Sequence, residues 1–222
     1  MKEGEKRIIF HIDVNNAFLS WTAVKMLKDG EKLDIRKIPS VIGGEEKERH
    51  GIVLAKSMPA KKRGVQTAET LYSARQKCPN LKVFKPDYSW YYEQSNLMYQ
   101  YLTRYTPLIE RYSIDECFLD LSGTSLLYKN YETLAEKIKN DIKTNFGFTV
   151  NVGIGNNKLC AKMASDFEKP DKVHTLYNEE IMKKMWPLPI GDLFMVGKST
   201  AAKLRELGIE TIKDLAICKP EK

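Results

Sequence analysis

The chain has little of what the commonest metal and redox centres are made from. Its 222 residues include three histidines and four cysteines. His11, His50 and His174 are scattered, which argues against a histidine-based metal centre. Cys78, Cys117, Cys160 and Cys218 form no C-x-x-C pair, a pattern that fits reduced cytosolic thiols better than disulfides or structural zinc. No run approaches the roughly 20 apolar residues a membrane span needs. The charged start, Met1 to Arg7, is unlike a secretory signal. These absences point to a cytoplasmic protein with no membrane partner.

What is present is charge and core material. Residues are 42% hydrophobic and 29% charged, a globular composition long enough for one large domain or two smaller ones. The net charge is +7, and basic residues cluster at Lys56, Lys61, Lys62 and Arg63 and again across the last forty residues. That balance favours an anionic partner.

Hydrophobic periodicity predicts a strand over residues 8–13, followed by a helix that Asn15 or Asn16 could cap and that runs to about Lys28. A stretch rich in Gly, Pro and charge follows, including Ile42-Gly43-Gly44-Glu45-Glu46. Then come a short strand over Gly51 to Ala55, a short helix from Pro59 to Gly64 and another from Thr70 to Cys78. The segment 25–87 reads as an insertion into a larger unit. That unit resumes with an amphipathic helix from about Ser89 to Thr106. A hairpin (Leu108–Tyr112, Cys117–Leu121) and a helix from about Tyr131 to Asn145 come next. A strand over Thr149 to Ile154, a helix from Asn157 to Phe167 and a strand over Val173 to Leu176 complete it. The order predicts an α+β fold built on a split βαβ sheet of the ferredoxin type. Beyond Tyr177, the runs Val196-Gly197-Lys198-Ser199-Thr200 and Gly208-Ile209 predict a helix-hairpin-helix, whose glycine turn can present backbone N–H groups to phosphate. Its candidate phosphate contacts are Gly197, Lys198, Thr200 and Lys203.

Three carboxylates carry the chemistry. Asp13 ends the apolar run Ile8-Ile9-Phe10-His11-Ile12, and Asp115 and Glu116 share a tight turn in Tyr112-Ser113-Ile114-Asp115-Glu116. Taken alone, Asp13 is equally well a helix cap or a surface acid, and adjacent acids are common in turns. Together they can form a site for two divalent cations that clamps a phosphoryl transfer, and hard oxygen ligands suit Mg²⁺. Lys158 opens a helix after Gly153-Ile154-Gly155-Asn156-Asn157, a placement that makes dipole sense if an anion binds there. With Lys162 it could equally form a solvated face. Lys61 could meet the same anion. Phe18, just past Asp13, is either a core aromatic or a neighbour of a bound sugar.

Read together, His11-Ile12-Asp13 with Phe18, Tyr112-Ser113-Ile114-Asp115-Glu116, and Val152 to Lys158 running on to Ala164-Ser165-Asp166 and Lys169-Pro170 resemble the DinB/UmuC-type Y-family translesion DNA polymerases. The resemblance implies a ferredoxin-like palm (1–24 and 88–176), a small α/β fingers insertion (25–87) and an α-helical helix-hairpin-helix thumb (177–222). It implies that Asp13, Asp115 and Glu116, with the Val14 carbonyl, bind two Mg²⁺ ions, for which Mn²⁺ can substitute. It further implies that Phe18 selects deoxyribonucleotides and that Lys158 and Lys61 bind the triphosphate. Activity would be low-fidelity, template-directed addition of dNMP to a primer in DNA damage tolerance. The partners would be primer-template DNA, a dNTP and a sliding clamp reached through a C-terminal region, and the chain would act as a monomer.

Met58 and Lys61 stand where the family often has Tyr and Arg, Asn15 and Ala17 where it often has an acid and an aromatic, and Met195 where the hairpin often has proline. The family's fourth domain, the little finger, has no counterpart, so a truncated polymerase with weak, salt-sensitive DNA binding is expected. Two rivals remain, a non-catalytic DNA-binding member of the family and a nucleotidyl cyclase acting on free nucleotides.

Overall fold

The computed structural model describes residues 7–44 and 51–219. Met1 to Lys6, Glu45, Glu46, His50 and the last three residues of the expected thumb lie outside them. In chain order the first elements are β1 (Ile9–Val14), α1 (Ala17–Lys28), β2 (Ser40–Gly43), β3 (Val53–Lys56), α2 (Met58–Lys62), α3 (Leu71–Lys77) and β4 (Lys82–Phe84). Then come α4 (Tyr88–Leu102), β5 (Ile109–Arg111), β6 (Glu116–Asp120), α5 (Tyr131–Phe146), β7 (Val150–Gly155), α6 (Lys158–Asp166) and β8 (Val173–Leu176). The last helices are α7 (Ile181–Lys184), α8 (Lys198–Glu206) and α9 (Ile212–Ile217).

The main sheet has the order β5-β6-β1-β7-β8. β6 and β7 each pair antiparallel with β1, and β5 pairs antiparallel with β6. Two βαβ units therefore interleave, each split by a strand of the other, which is the expected ferredoxin-type arrangement. β8 extends it as a fifth strand parallel to β7. Side chains alternate across a strand, so β1 serves both faces. Phe10, Ile12 and Val14 join Trp21, Tyr91, Met98, Leu134 and Ile138 in the main core. Ile9 packs on the other face with Phe118 and Ala161 of α6. There α6 lies almost backbone to backbone on β7. A Cβ at Gly153 would stand 2.0 Å from the Ala161 carbonyl oxygen, and one at Gly155 2.7 Å from the Ala161 nitrogen.

The inserted segment is a second sheet, β3-β2-β4, over a small core of Val41, Val53, Ala60, Leu71 and Ala74. The sequence reading has only the 51–55 strand here. β2 and β4 escape it because they have four and three residues, too few for a period to show. Asn16 occupies the N-cap of α1 in the left-handed region (φ 52°) but makes no cap bond. Its amide donates instead to the Lys56 carbonyl, tying α1 to β3.

In the C-terminal part, Ile190, Ala201 and Ile209 pack the α8 hairpin, and Met185 and Ile212 join Met163 and Leu176 beneath α6. Gly208 turns the chain at φ 77°, and Thr211 and Asp214 form a capping box on α9. Met195 has φ 73°. Proline, locked near −65°, could not occupy that backbone, so this turn differs from the proline form expected for the hairpin. Among the described residues no helix is long and apolar enough to cross a membrane.

Candidate active site

Strand register brings the acids together. Asp13 at the end of β1 is the Cα partner of Glu116 at the start of β6. The next pair is closed by the Val14 N–H donating to the Asp115 carbonyl at 3.0 Å. All three carboxylates thus sit at one end of the sheet. Asp115 is partly exposed, and its Oδ1 accepts from the Ser113 hydroxyl at 2.7 Å.

Two lysines hold the others. Lys162 Nζ lies 2.5 Å from Glu116 Oε1 and 3.3 Å from both Asp13 Oδ2 and Asp166 Oδ2. Lys169 Nζ lies 2.6 Å from Asp13 Oδ2 and 2.8 Å from Asp166 Oδ1. Burial opposes the charged form of Asp13, but Lys169 and Lys162 outweigh it and hold its pKa below the ordinary carboxylate value. Burial pushes Glu116 up, helped by the nearby Asp13 charge and only partly offset by Lys162. Burial alone would lower Lys162, yet Glu116, Asp13 and Asp166 raise it, so it stays charged. Beneath them His11 is fully buried, its Nδ1 2.8 Å from the Ser165 hydroxyl. Burial and then Lys162 push its pKa down to about 3.

Asp13, Asp115, Glu116 and Asp166 carry four formal negative charges against two from the lysines. Among the described residues no three His, Cys, Asp or Glu side chains converge on one point that could hold a metal. The Lys162 ammonium lies between Asp13 and Glu116 instead. The donor set still fits a hard divalent cation, since it is all oxygen with surplus negative charge.

Beside the acids opens a cleft of about 600 Å³ between the β1–α1 corner and the inserted domain, lined by Asp13, Phe18, Arg36, Lys61, Asp115 and Lys169 among others. Val14 and Met58 line it too. Phe18 is packed from behind, stacked on Tyr91 (centroids 4.9 Å, 18°) and edge-on to Tyr88.

Lys158 is not there. It follows Gly155, which pairs with Ile9 at the far end of β1, and it forms an ion pair with Glu110. At about 1.5 Å per residue, α6 separates it from Asp166 by about 12 Å. The helix runs back towards the acids, so its C-terminal end and the loop beyond reach them. Lys162, which the sequence leaves as a solvated lysine, is buried, and Lys169 and Arg36 supply cations to the cleft that sequence reasoning did not single out. The Lys169-Pro170 pair was the available signal. Gly197, Lys198, Thr200 and Lys203 are exposed at the start of α8, where no side chain caps the first turn.

Residues 12–166 match the impB/mucB/samB family, and residues 178–209 match that family's helix-hairpin-helix motif. The chain belongs to this family. Its relatives include DNA polymerase IV of Clostridium acetobutylicum, 60% identical over 210 residues that cover 95% of this chain and 53% of the relative. DNA polymerase IV 1 of Bacillus subtilis is 39% identical, covering 96% and 50%. Among solved structures, DinB from Sulfolobus solfataricus matches with a TM-score of 0.84 at 26% identity, over 96% of this chain and 60% of that one. An insertion ternary complex of Dbh DNA polymerase matches equally, over 96% and 61%. These matches place the chain with the DinB-type Y-family members. The chain spans about half the length of the curated relatives it matches.

Proposed function

We propose that this chain is the catalytic core of a template-directed translesion DNA polymerase, with the main sheet and its helices as palm, the inserted β3-β2-β4 domain as fingers and α7–α9 as thumb. The observation that carries the reading is the pairing of Asp13 with Glu116, clasped by the Asp115 carbonyl, at the mouth of a cleft that also holds basic side chains and an aromatic wall.

In the reaction the primer 3′-oxygen, losing its proton, bonds to the α-phosphorus of a dNTP, and the bond to pyrophosphate breaks. Asp13, Asp115 and Glu116 would hold the divalent ions, Mg²⁺ or Mn²⁺, which when bound align both oxygens and stabilise the developing charge. Lys169, Lys61 and Arg36 line the cleft where a triphosphate would lie, and their charge attracts and orients it. Phe18, backed by Tyr91, presents a rigid face to the sugar, where a 2′-hydroxyl would collide. The bare first turn of α8, with Gly197, Lys198 and Thr200, and Lys203 in the next turn offer N–H groups and ammoniums to duplex phosphates.

Primer extension at low salt with Mg²⁺, beside an Asp115→Ala control, tests this. Extension by the native chain alone is the expected result. Nucleotide turnover without primer or template would instead favour a cyclase, and DNA binding without any metal-dependent nucleotide binding would favour a non-catalytic role.

A further inference from the structure

Lys169 sits on a loop, residues 167–172, whose hold on the rest of the molecule does not depend on the lysine itself. If a triphosphate takes the ammonium, as the proposed function requires, the contact with Asp13 is given up. Something else must then keep the loop at the floor of the cleft. Two side-chain amides meet that need. Asn151, on the α6 face of β7, is fully buried and donates through Nδ2 to the Ser165 carbonyl at 2.9 Å and the Glu168 carbonyl at 2.6 Å. Its Oδ1 accepts from the Lys172 N–H at 3.3 Å and from Asn15 Nδ2 at 3.0 Å. Asn15, two residues past Asp13, accepts the Asp171 N–H at 2.9 Å. Every donor and acceptor of Asn151 is used. The pair therefore fastens the end of α6 and both sides of Lys169 to β7 and to the residue that follows β1, the strand of Asp13. Asp171 adds an outer anchor through ion pairs with Lys139 and Lys143 of α5.

We propose that Asn151, acting with Asn15, is a positioning residue that presets Lys169 for the triphosphate. Asn151 is the Cα partner of Asp13 across the β1–β7 pairing and Asn15 follows the Asp13 strand, so the pair couples the placement of the nucleotide's charge to the placement of the acids. Such a device has value where small errors are expensive, since a misplacement of about 1 Å can cost on the order of a hundredfold in rate. The two amides replace loop freedom with fixed, buried hydrogen bonds.

The inference rests on the reading of Lys169 as a triphosphate ligand, and the test separates the two. Binding of dATP with Mg²⁺ to the full chain is measured by calorimetry for the native protein, Asn151→Leu, Lys169→Met and the double variant. Asn151→Leu is expected to weaken binding about tenfold, less than the full-ångström figure above because Asp171 still anchors the loop. In the Lys169→Met background it should change binding less than twofold, since coupled residues are not additive. In steady state its effect should fall on the KM for dNTP more than on kcat. A Lys169→Met variant that binds dATP as the native chain does would overturn the ligand reading, and the inference with it. A loss at Lys169 combined with a nil or fully additive effect of Asn151→Leu would overturn the inference alone. If thermal melting shows Asn151→Leu to be unfolded, Asn15→Ala decides. It removes only the Asn151 and Asp171 bonds, and a smaller weakening that vanishes beside Lys169→Met is expected.

Discussion

The two ends of α6 carry the same kind of side chain in opposite circumstances. At the N-terminal end Lys158 is half exposed, pairs with the exposed Glu110 and lies over the Phe118 ring. At the C-terminal end Lys162, with 9% of its side chain exposed, is wedged among Asp13, Glu116 and Asp166, and Lys169 reaches Asp13 and Asp166 from the following loop. An exposed ion pair contributes little. A largely buried cluster of Asp13, Glu116 and Lys162, edged by the more exposed Asp166 and Lys169, is costly to assemble, and fold stability alone does not explain it. The difference teaches that proximity to a glycine-rich turn in the sequence is a poor guide to which lysine serves the cleft. The direction of the helix decides it.

The sharpest way to break that comparison is at the acids. Asp115→Ala, at the acid that neither lysine holds, is expected to cost on the order of a thousandfold or more in primer extension, because alignment and charge neutralisation by bound cations contribute several kcal/mol. Its circular dichroism spectrum should be unchanged. Lys162→Met should destabilise the fold by about 3 kcal/mol, since it leaves Glu116 without its lysine and Asp13 with Lys169 alone. Added Mg²⁺ should raise the melting temperature of this variant more than that of the native chain, and equal rises would show that the ammonium does not occupy cation space.

A middle-sized effect separates the two lysines directly. Loss of a charge-assisted contact costs about 1.5–3 kcal/mol, so Lys169→Met should weaken dNTP binding by roughly ten- to a hundredfold. Lys158→Met should stay within about twofold, as a lone surface pair allows. Equal losses from both would erase the contrast between the ends.

The smallest effect is a pH dependence at His11. Its pKa falls from 6.5 to about 3 in the fold, so between those values the unfolded chain binds a proton that the native state refuses. Stability is therefore fully present above about pH 6.5 and declines as pH falls, with a slope approaching 1.4 kcal/mol per pH unit. Urea titrations at pH 7 and 5 should show the decline in the native chain and a shallower one in His11→Phe.

Much of this architecture is legible in the sequence. An acid that closes an apolar strand is visible because burial without a partner is costly. Long elements such as α4 and α5 show their period. What stays hidden depends on tertiary partners. The four-residue β2 has too little pattern, and Asn16 looks like a cap until the Lys56 carbonyl claims its amide. Lys162 looks like a surface lysine until β1 and β6 close around it, and Lys158 looks like an anion ligand until the antiparallel register of β1 and β7 puts it at the wrong end. Asn151 carries no sequence signal, because a lone asparagine in a strand declares nothing about its four bonds.

The register of β1 against β6 has a consequence for quality control. Side chains alternate with a period of two, so a slip of one residue would turn Asp13 to the opposite face and part it from Glu116. A copy that folded compactly with the wrong pairing would keep its bulk and lose its chemistry. For an enzyme proposed to write DNA with low fidelity, that is a safe mode of failure: the misassembled molecule falls silent instead of writing errors.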